Sequence, residues 1–119
     1  MGDAPAPERV APDGKPVVGP FDRAGWRAWL GEHHATSRGV YLAGWRRDSG
    51  RSSVPYEEAV EEALCVGWID STLRRLDATQ SIQWFAPRRP GSGWARTNKA
   101  RVERLTAEGL MLSAGLAAV

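Results

Sequence analysis

The chain has 119 residues, 42% apolar and 25% charged, with a formal net charge of +2. That is enough polypeptide for one core, too apolar for a disordered protein and too short for two domains. The single cysteine, Cys65, excludes an intramolecular disulfide and a cysteine-built metal site. With no secretory or lipidation signal in Met1-Gly-Asp-Ala-Pro-Ala6 and no apolar run near the roughly 18 residues that span a bilayer, the expected setting is the cytoplasm, without membrane insertion.

Residues 1–20 carry five prolines and little that could pack, so they read as a flexible leader, with order beginning at Phe21. Asp22 is a good N-cap, and Phe21 with Trp26 has the spacing of a hydrophobic staple. The helix they open runs to about His33, with Trp26, Trp29, Leu30 and His33 on one face. Arg38 to Arg47 reads as an inner strand, because Val40, Tyr41, Leu42, Ala43 and Trp45 are apolar on both faces. Asp48-Ser-Gly-Arg-Ser-Ser is a turn or loop.

A second helix follows Ser53, with Pro55 in its first turn and Glu57 and Glu58 near its positive end. Tyr56, Ala59, Val60, Ala63 and Leu64 form an amphipathic stripe, and Gly67 is placed to stop it. Residues 69–76 and 81–86 predict an antiparallel hairpin about Asp77-Ala-Thr-Gln80, with Ile69, Ser71 and Leu73 alternating along one side. Pro87 and Pro90 close the second strand. Ser92 can cap a third helix that runs to about Glu108 and stops at Gly109, and residues 110–119 are weakly helical. The expected architecture is α+β, a small three-stranded, mostly antiparallel sheet packed with three to four helices in a single domain over residues 21–119.

Charge is unevenly distributed. Residues 53–70 hold five acids and no base, which reads as a solvated helix face. Residues 71–104 hold eight bases against two acids, an electrostatic footprint suited to an anion. Within this block, Pro87-Arg-Arg-Pro-Gly-Ser-Gly-Trp94 offers two guanidinium groups, Arg88 and Arg89, ahead of a helix start capped by Ser92. Both features favour carboxylate or phosphate ligands.

Trp68 and Asp70 stand at a helix-to-strand junction, where a carboxylate can act as acid or base or hold an arginine. Asn98 shares a helix face with Trp94, Arg101, Val102 and Leu105, and needs hydrogen-bond partners if buried. The candidate ligand-binding residues are therefore Trp68, Asp70, Arg88, Arg89, Ser92, Trp94 and Asn98, with Asp70 the one candidate catalytic group. His33 and His34 point apart on a helix and predict no metal site, Cys65 reads as packing, and no cofactor motif occurs. The six tryptophans serve either a core or a binding surface.

Several motifs in order carry a family resemblance. They are Phe21 with Trp26-Arg-Ala-Trp29-Leu, then Tyr56-Glu-Glu-Ala-Val-Glu-Glu-Ala-Leu-Cys-Val-Gly-Trp-Ile-Asp70, then Phe85-Ala-Pro-Arg-Arg89. Ser92-Gly-Trp94 with Asn98, Arg101-Val, and Gly109-Leu-Met with Ala114-Gly-Leu complete the set. Together they resemble the YdeI/OmpD-associated family, also called the bacteriocin-protection family, from Phe21 nearly to the end. The resemblance implies a bacterial protein with a role in bacteriocin or antimicrobial-stress protection. Because such proteins usually continue into a further helical segment, it also implies the front portion, or a shortened version, of a longer protein.

Three functions are open from the residues. The first is a non-enzymatic module holding a small anion or acidic peptide between Arg88 and Arg89, with Trp68 or Trp94 stacking on it. The second is a nucleic-acid binder using the basic, tryptophan-containing segment 71–104. The third is a small enzyme with Asp70 as general acid or base and an arginine clamp.

Overall fold

The computed structural model describes residues 9–89 and 96–117. In chain order the elements are β1 (Arg9–Val10), β2 (Pro16–Val18), α1 (Arg23–His33), β3 (Val40–Trp45), a 3-10 turn (Arg47–Ser49), α2 (Tyr56–Cys65), β4 (Trp68–Arg75), β5 (Gln80–Pro87), α3 (Arg96–Ala107) and α4 (Ser113–Ala117). The sheet is five-stranded and mixed, in the order β1-β2-β3-β5-β4. Among the described residues only the β2–β3 pair is parallel.

This corrects the expected three-stranded, mostly antiparallel sheet. The two extra strands come from residues 9–18, inside the proline-rich stretch assigned to the leader. Pro12-Asp13-Gly14 turns the chain there. Gly14 takes φ +83°, a conformation side-chain-bearing residues avoid, and its N–H bonds to Ala11 O at 2.8 Å. Asp13 then accepts a hydrogen bond from the Tyr41 hydroxyl at 2.7 Å, which ties the turn to β3.

α1 starts as its sequence directs: the Asp22 carboxylate caps Gly25 N at 2.7 Å. β3 lies between β2 and β5, and its two faces serve different clusters. Val40 and Leu42, with Phe85 opposite Val40, pack under Trp26 and Leu30 of α1, Val60 and Leu64 of α2, and Val102 and Leu105 of α3. Tyr41 and Ala43 join Ile82, Val17 and Ala11 on the other face, flanked by Trp84. Trp26 and Trp68 are wholly enclosed, each burying roughly 4 kcal/mol of gross transfer free energy. The Trp26 indole also donates to Ala59 O at 3.0 Å, joining α1 to α2.

Two expectations about α2 are overturned. Tyr56, placed on its apolar stripe, is 53% exposed, whereas Glu61 and Glu62, placed on a solvated face, are 8% and 5% exposed. Arginines from the neighbouring helices explain the second. Arg23 reaches Glu62 at 2.7 Å, Glu61 at 3.1 Å and Glu58 at 3.4 Å, and Arg27 reaches Glu62 at 2.8 Å. From α3, Arg104 pairs with Glu61 and Arg101 with Glu57. The acidic helix is the centre of a three-helix ion-pair network, the usual condition under which a carboxylate tolerates burial.

The β4–β5 hairpin forms where expected, but β4 carries one extra residue between Asp70 and Leu73. This bulge breaks the anticipated alternation of Ile69, Ser71 and Leu73, and brings Leu73 opposite Gln83. Among the described residues no helix is long and apolar enough to cross a membrane.

Candidate functional site

α2 begins at Tyr56, so the helical layer ends before the sheet does. At that end a cleft of about 430 Å³ opens. Leu42 and Gly44 of β3 with Ser81, Gln83 and Phe85 of β5 form its floor, Leu73 of β4 its margin, and the segment from Arg47 to Tyr56 its wall. The wall is held by three backbone N–H groups, one of them bonded to a serine side chain. Trp45 N donates to Ser53 Oγ at 3.1 Å, Val54 N to Phe21 O at 2.8 Å, and Arg46 N to Thr79 O at 2.7 Å. Gly50, at φ +78°, ends the 3-10 turn in the left-handed region and returns the chain toward Arg51.

The cleft combines apolar rim and positive charge. Leu73 and Tyr56, two large side chains left exposed, both border it. Arg47 and Arg51 line it, and among the described residues neither guanidinium is paired with a carboxylate. Arg51 instead lies 4.7 Å over the Trp45 ring, a cation–π contact that orients the side chain without neutralising it. Arg23, Arg27, Arg101 and Arg104, by contrast, are all satisfied by glutamates of α2.

Two hydrogen-bonded groups meet at the start of α2, one at the cleft and one reaching α3. The Tyr56 hydroxyl donates to Asp70 Oδ2 at 2.8 Å, and Gln83 Nε2 donates to the same oxygen at 3.3 Å and to Ser71 O at 3.2 Å. The Asp70 acceptor, together with partial burial, holds the Tyr56 phenol above its usual range. Next to Tyr56, Glu57 receives both arms of Arg101, whose Nη1 also donates to Asn98 Oδ1 at 2.8 Å. Asp70 and Asn98, chosen from sequence, thus belong to two separate hydrogen-bonded groups, which meet only through the adjacent residues Tyr56 and Glu57 at the start of α2. Asp70 stands behind Tyr56 and Gln83, which line the cleft while it does not.

The other sequence candidates do not gather there. Trp68 is 1% exposed and packed edge-on against Trp29, so it offers no face to a ligand. Arg88 is half-buried with its N–H bonded to Gly67 O at 2.9 Å, and Arg89 is exposed; both are engaged with other groups of the protein. Ser92 and Trp94 lie outside the described residues. Arg47 and Arg51 were missed because the segment 46–53 reads as a plain turn. The signal was Arg46, Arg47 and Arg51 against Asp48 alone, next to a helix whose leading residue, Pro55, has no side-chain cap to offer. Among the described residues no group of three or more His, Cys, Asp or Glu could hold a metal ion.

Fold and site together define an α+β protein with an open, positively charged cleft at the uncovered end of a mixed sheet. The chain belongs to the family described as Domain of unknown function (DUF8412), whose model matches residues 20–118. No curated protein and no solved structure matches it.

Proposed function

We propose that this protein is a non-enzymatic binding module for a small dianion carrying an apolar group, such as a phosphate monoester or a dicarboxylate. The carrying observation is the placement of Arg47 and Arg51, neither paired with a carboxylate among the described residues, in the same cleft as exposed Leu73 and Tyr56. Guanidinium groups recognise carboxylate and phosphate through two parallel hydrogen bonds. The apolar rim gains when water leaves it, which gives such a ligand a second foothold. Gln83 and Tyr56, held by Asp70, supply fixed polar groups for orientation. Asp70 is then a positioning residue.

The reading keeps an anion as ligand and moves its site from Arg88 and Arg89 to Arg47 and Arg51. Sequestering a harmful small molecule also fits the protective role implied by the YdeI/OmpD-associated resemblance. Nucleic-acid binding is less favoured, because Arg101 and Arg104 of the basic segment are committed to Glu57 and Glu61.

Calorimetric titration with phenyl phosphate and with inorganic phosphate tests the proposal. Phenyl phosphate should bind more tightly, and Arg47→Ala with Arg51→Ala should weaken it at least tenfold while leaving the melting temperature unchanged. Equal affinity in the double variant would overturn it, as would no binding by the parent protein.

A further inference from the structure

A second cleft, of about 470 Å³, lies between α1 and the first strands. Val18 and Val40 floor it, Phe21 and Trp29 wall it, and Arg9 and His33 supply polar groups. None of these residues takes part in the Arg47/Arg51 cleft. We propose that this is a separate binding site for a small aromatic carboxylate.

The apolar part of the argument rests on fixed packing. Trp29 is stacked on Trp26 at 5.6 Å and 13°, and meets Trp68 edge-on at 6.0 Å, so its indole is a rigid wall. Gly19 carries the chain over β3 at φ +86°, and a Cβ there would stand 3.2–3.3 Å from Phe21 N, Ala43 O and the Leu42 side chain. That close passage brings Val18 and Phe21 to opposite ends of one short arc. A cavity of this volume, mostly apolar with a few polar groups, has the size and character of small-molecule sites.

The charged part rests on Arg9. Its Nη1 donates to Gly19 O at 2.9 Å and its Nη2 to Gln80 Oε1 at 2.8 Å, both neutral acceptors. These bonds fix the guanidinium at the cleft and, among the described residues, engage two of its five N–H donors. The His33 ring, 4.8 Å from Trp29 and 47% exposed, closes the α1 side, with the Glu32 carboxylate 3.6 Å from its Nε2. One fixed cation beside an imidazole suits a single carboxylate, and the volume beneath suits one aromatic ring.

Phenylacetate and its uncharged amide, phenylacetamide, separate the two parts. In a ¹H–¹⁵N NMR titration, phenylacetate should shift the Trp29 indole and the Val18, Gly19 and Val40 amides. It should bind at least tenfold more tightly than the amide. Arg9→Gln, an exposed change, should erase that preference, and Val18→Trp, which fills the cleft, should abolish binding of both. Arg47→Ala with Arg51→Ala should leave phenylacetate affinity intact, so this site stands or falls apart from the first. Equal binding of acid and amide, shifts confined to other residues, or no binding at all would overturn the proposal.

Discussion

Arg101 on α3 grips Glu57 in the first turn of α2 with two bonds of 2.7 Å each, Nε to Oε2 and Nη2 to Oε1. The same arginine holds Asn98, and the residue beside Glu57 is Tyr56 of the cleft. The helix start bordering the proposed anion site is therefore positioned by a salt bridge from α3.

The pH response of this contact has a defined sign. Hydrogen bonding to Arg101 holds the Glu57 carboxyl below its usual range. Its folded pKa thus lies under the unfolded value of about 4.3, so its stabilisation is complete above that pH and lost as pH falls through the folded value. With Glu57 53% exposed, screening limits the contribution to about 1 kcal/mol or less. Denaturant unfolding of the parent and Glu57→Gln should differ at pH 7, and the difference should shrink as pH falls below the unfolded value toward the folded one. A gap independent of pH would show that the charge is not what matters.

Glu62 should behave differently. It is 5% exposed and receives both Arg23 and Arg27, two α1 arginines that keep 37% and 42% of their side-chain surface in water. Removing the carboxylate leaves those arginines a route back to solvent, so the cost falls below that of a fully buried pair. Glu62→Ala should cost about 2 kcal/mol, against about 3–5 for such a pair and less than about 1 for Glu57→Ala. Equilibrium unfolding of the two variants side by side checks the order, and equal losses would contradict it.

The Tyr56–Asp70 contact is accessible optically. The protein has two tyrosines, and Tyr41→Phe leaves Tyr56 as the single phenol. In that background phenolate absorbance should appear above the usual value near 10, and Asp70→Asn should bring it down by removing the charged acceptor. The raised folded value means the contact stabilises below the unfolded pKa and is lost as pH climbs through the folded one. Unchanged titration in Asp70→Asn would show that Asp70 does not hold the ring.

What the sequence revealed was mostly local. Asp22 capping, the inner character of Val40–Trp45 and the hairpin about Asp77 follow from short-range patterns, and each appears in the structure. The pairing of residues 9–18 did not emerge, although Pro12-Asp13-Gly14 between Val10 and Val17 is turn chemistry, because strands of two and three residues leave no alternation to see in a proline-rich stretch. The burial of Glu61 and Glu62 was hidden for a different reason. Their arginine partners stand 35 to 43 residues away in sequence, and no periodicity within α2 records them. The same long-range pairing removed Arg101 and Arg104 from the anion footprint.

The matched family segment starts at residue 20, yet the sheet starts at Arg9. Val17 and Val18 run alongside Tyr41 and Leu42, so trimming the protein to the family boundary would strip a flank from its central strand. The bared amides and carbonyls would invite edge-to-edge self-association, and Tyr41 would lose the Asp13 carboxylate that receives its hydroxyl. A version prepared without residues 9–18 should therefore self-associate where the full chain does not, which light scattering of the two at equal concentration checks.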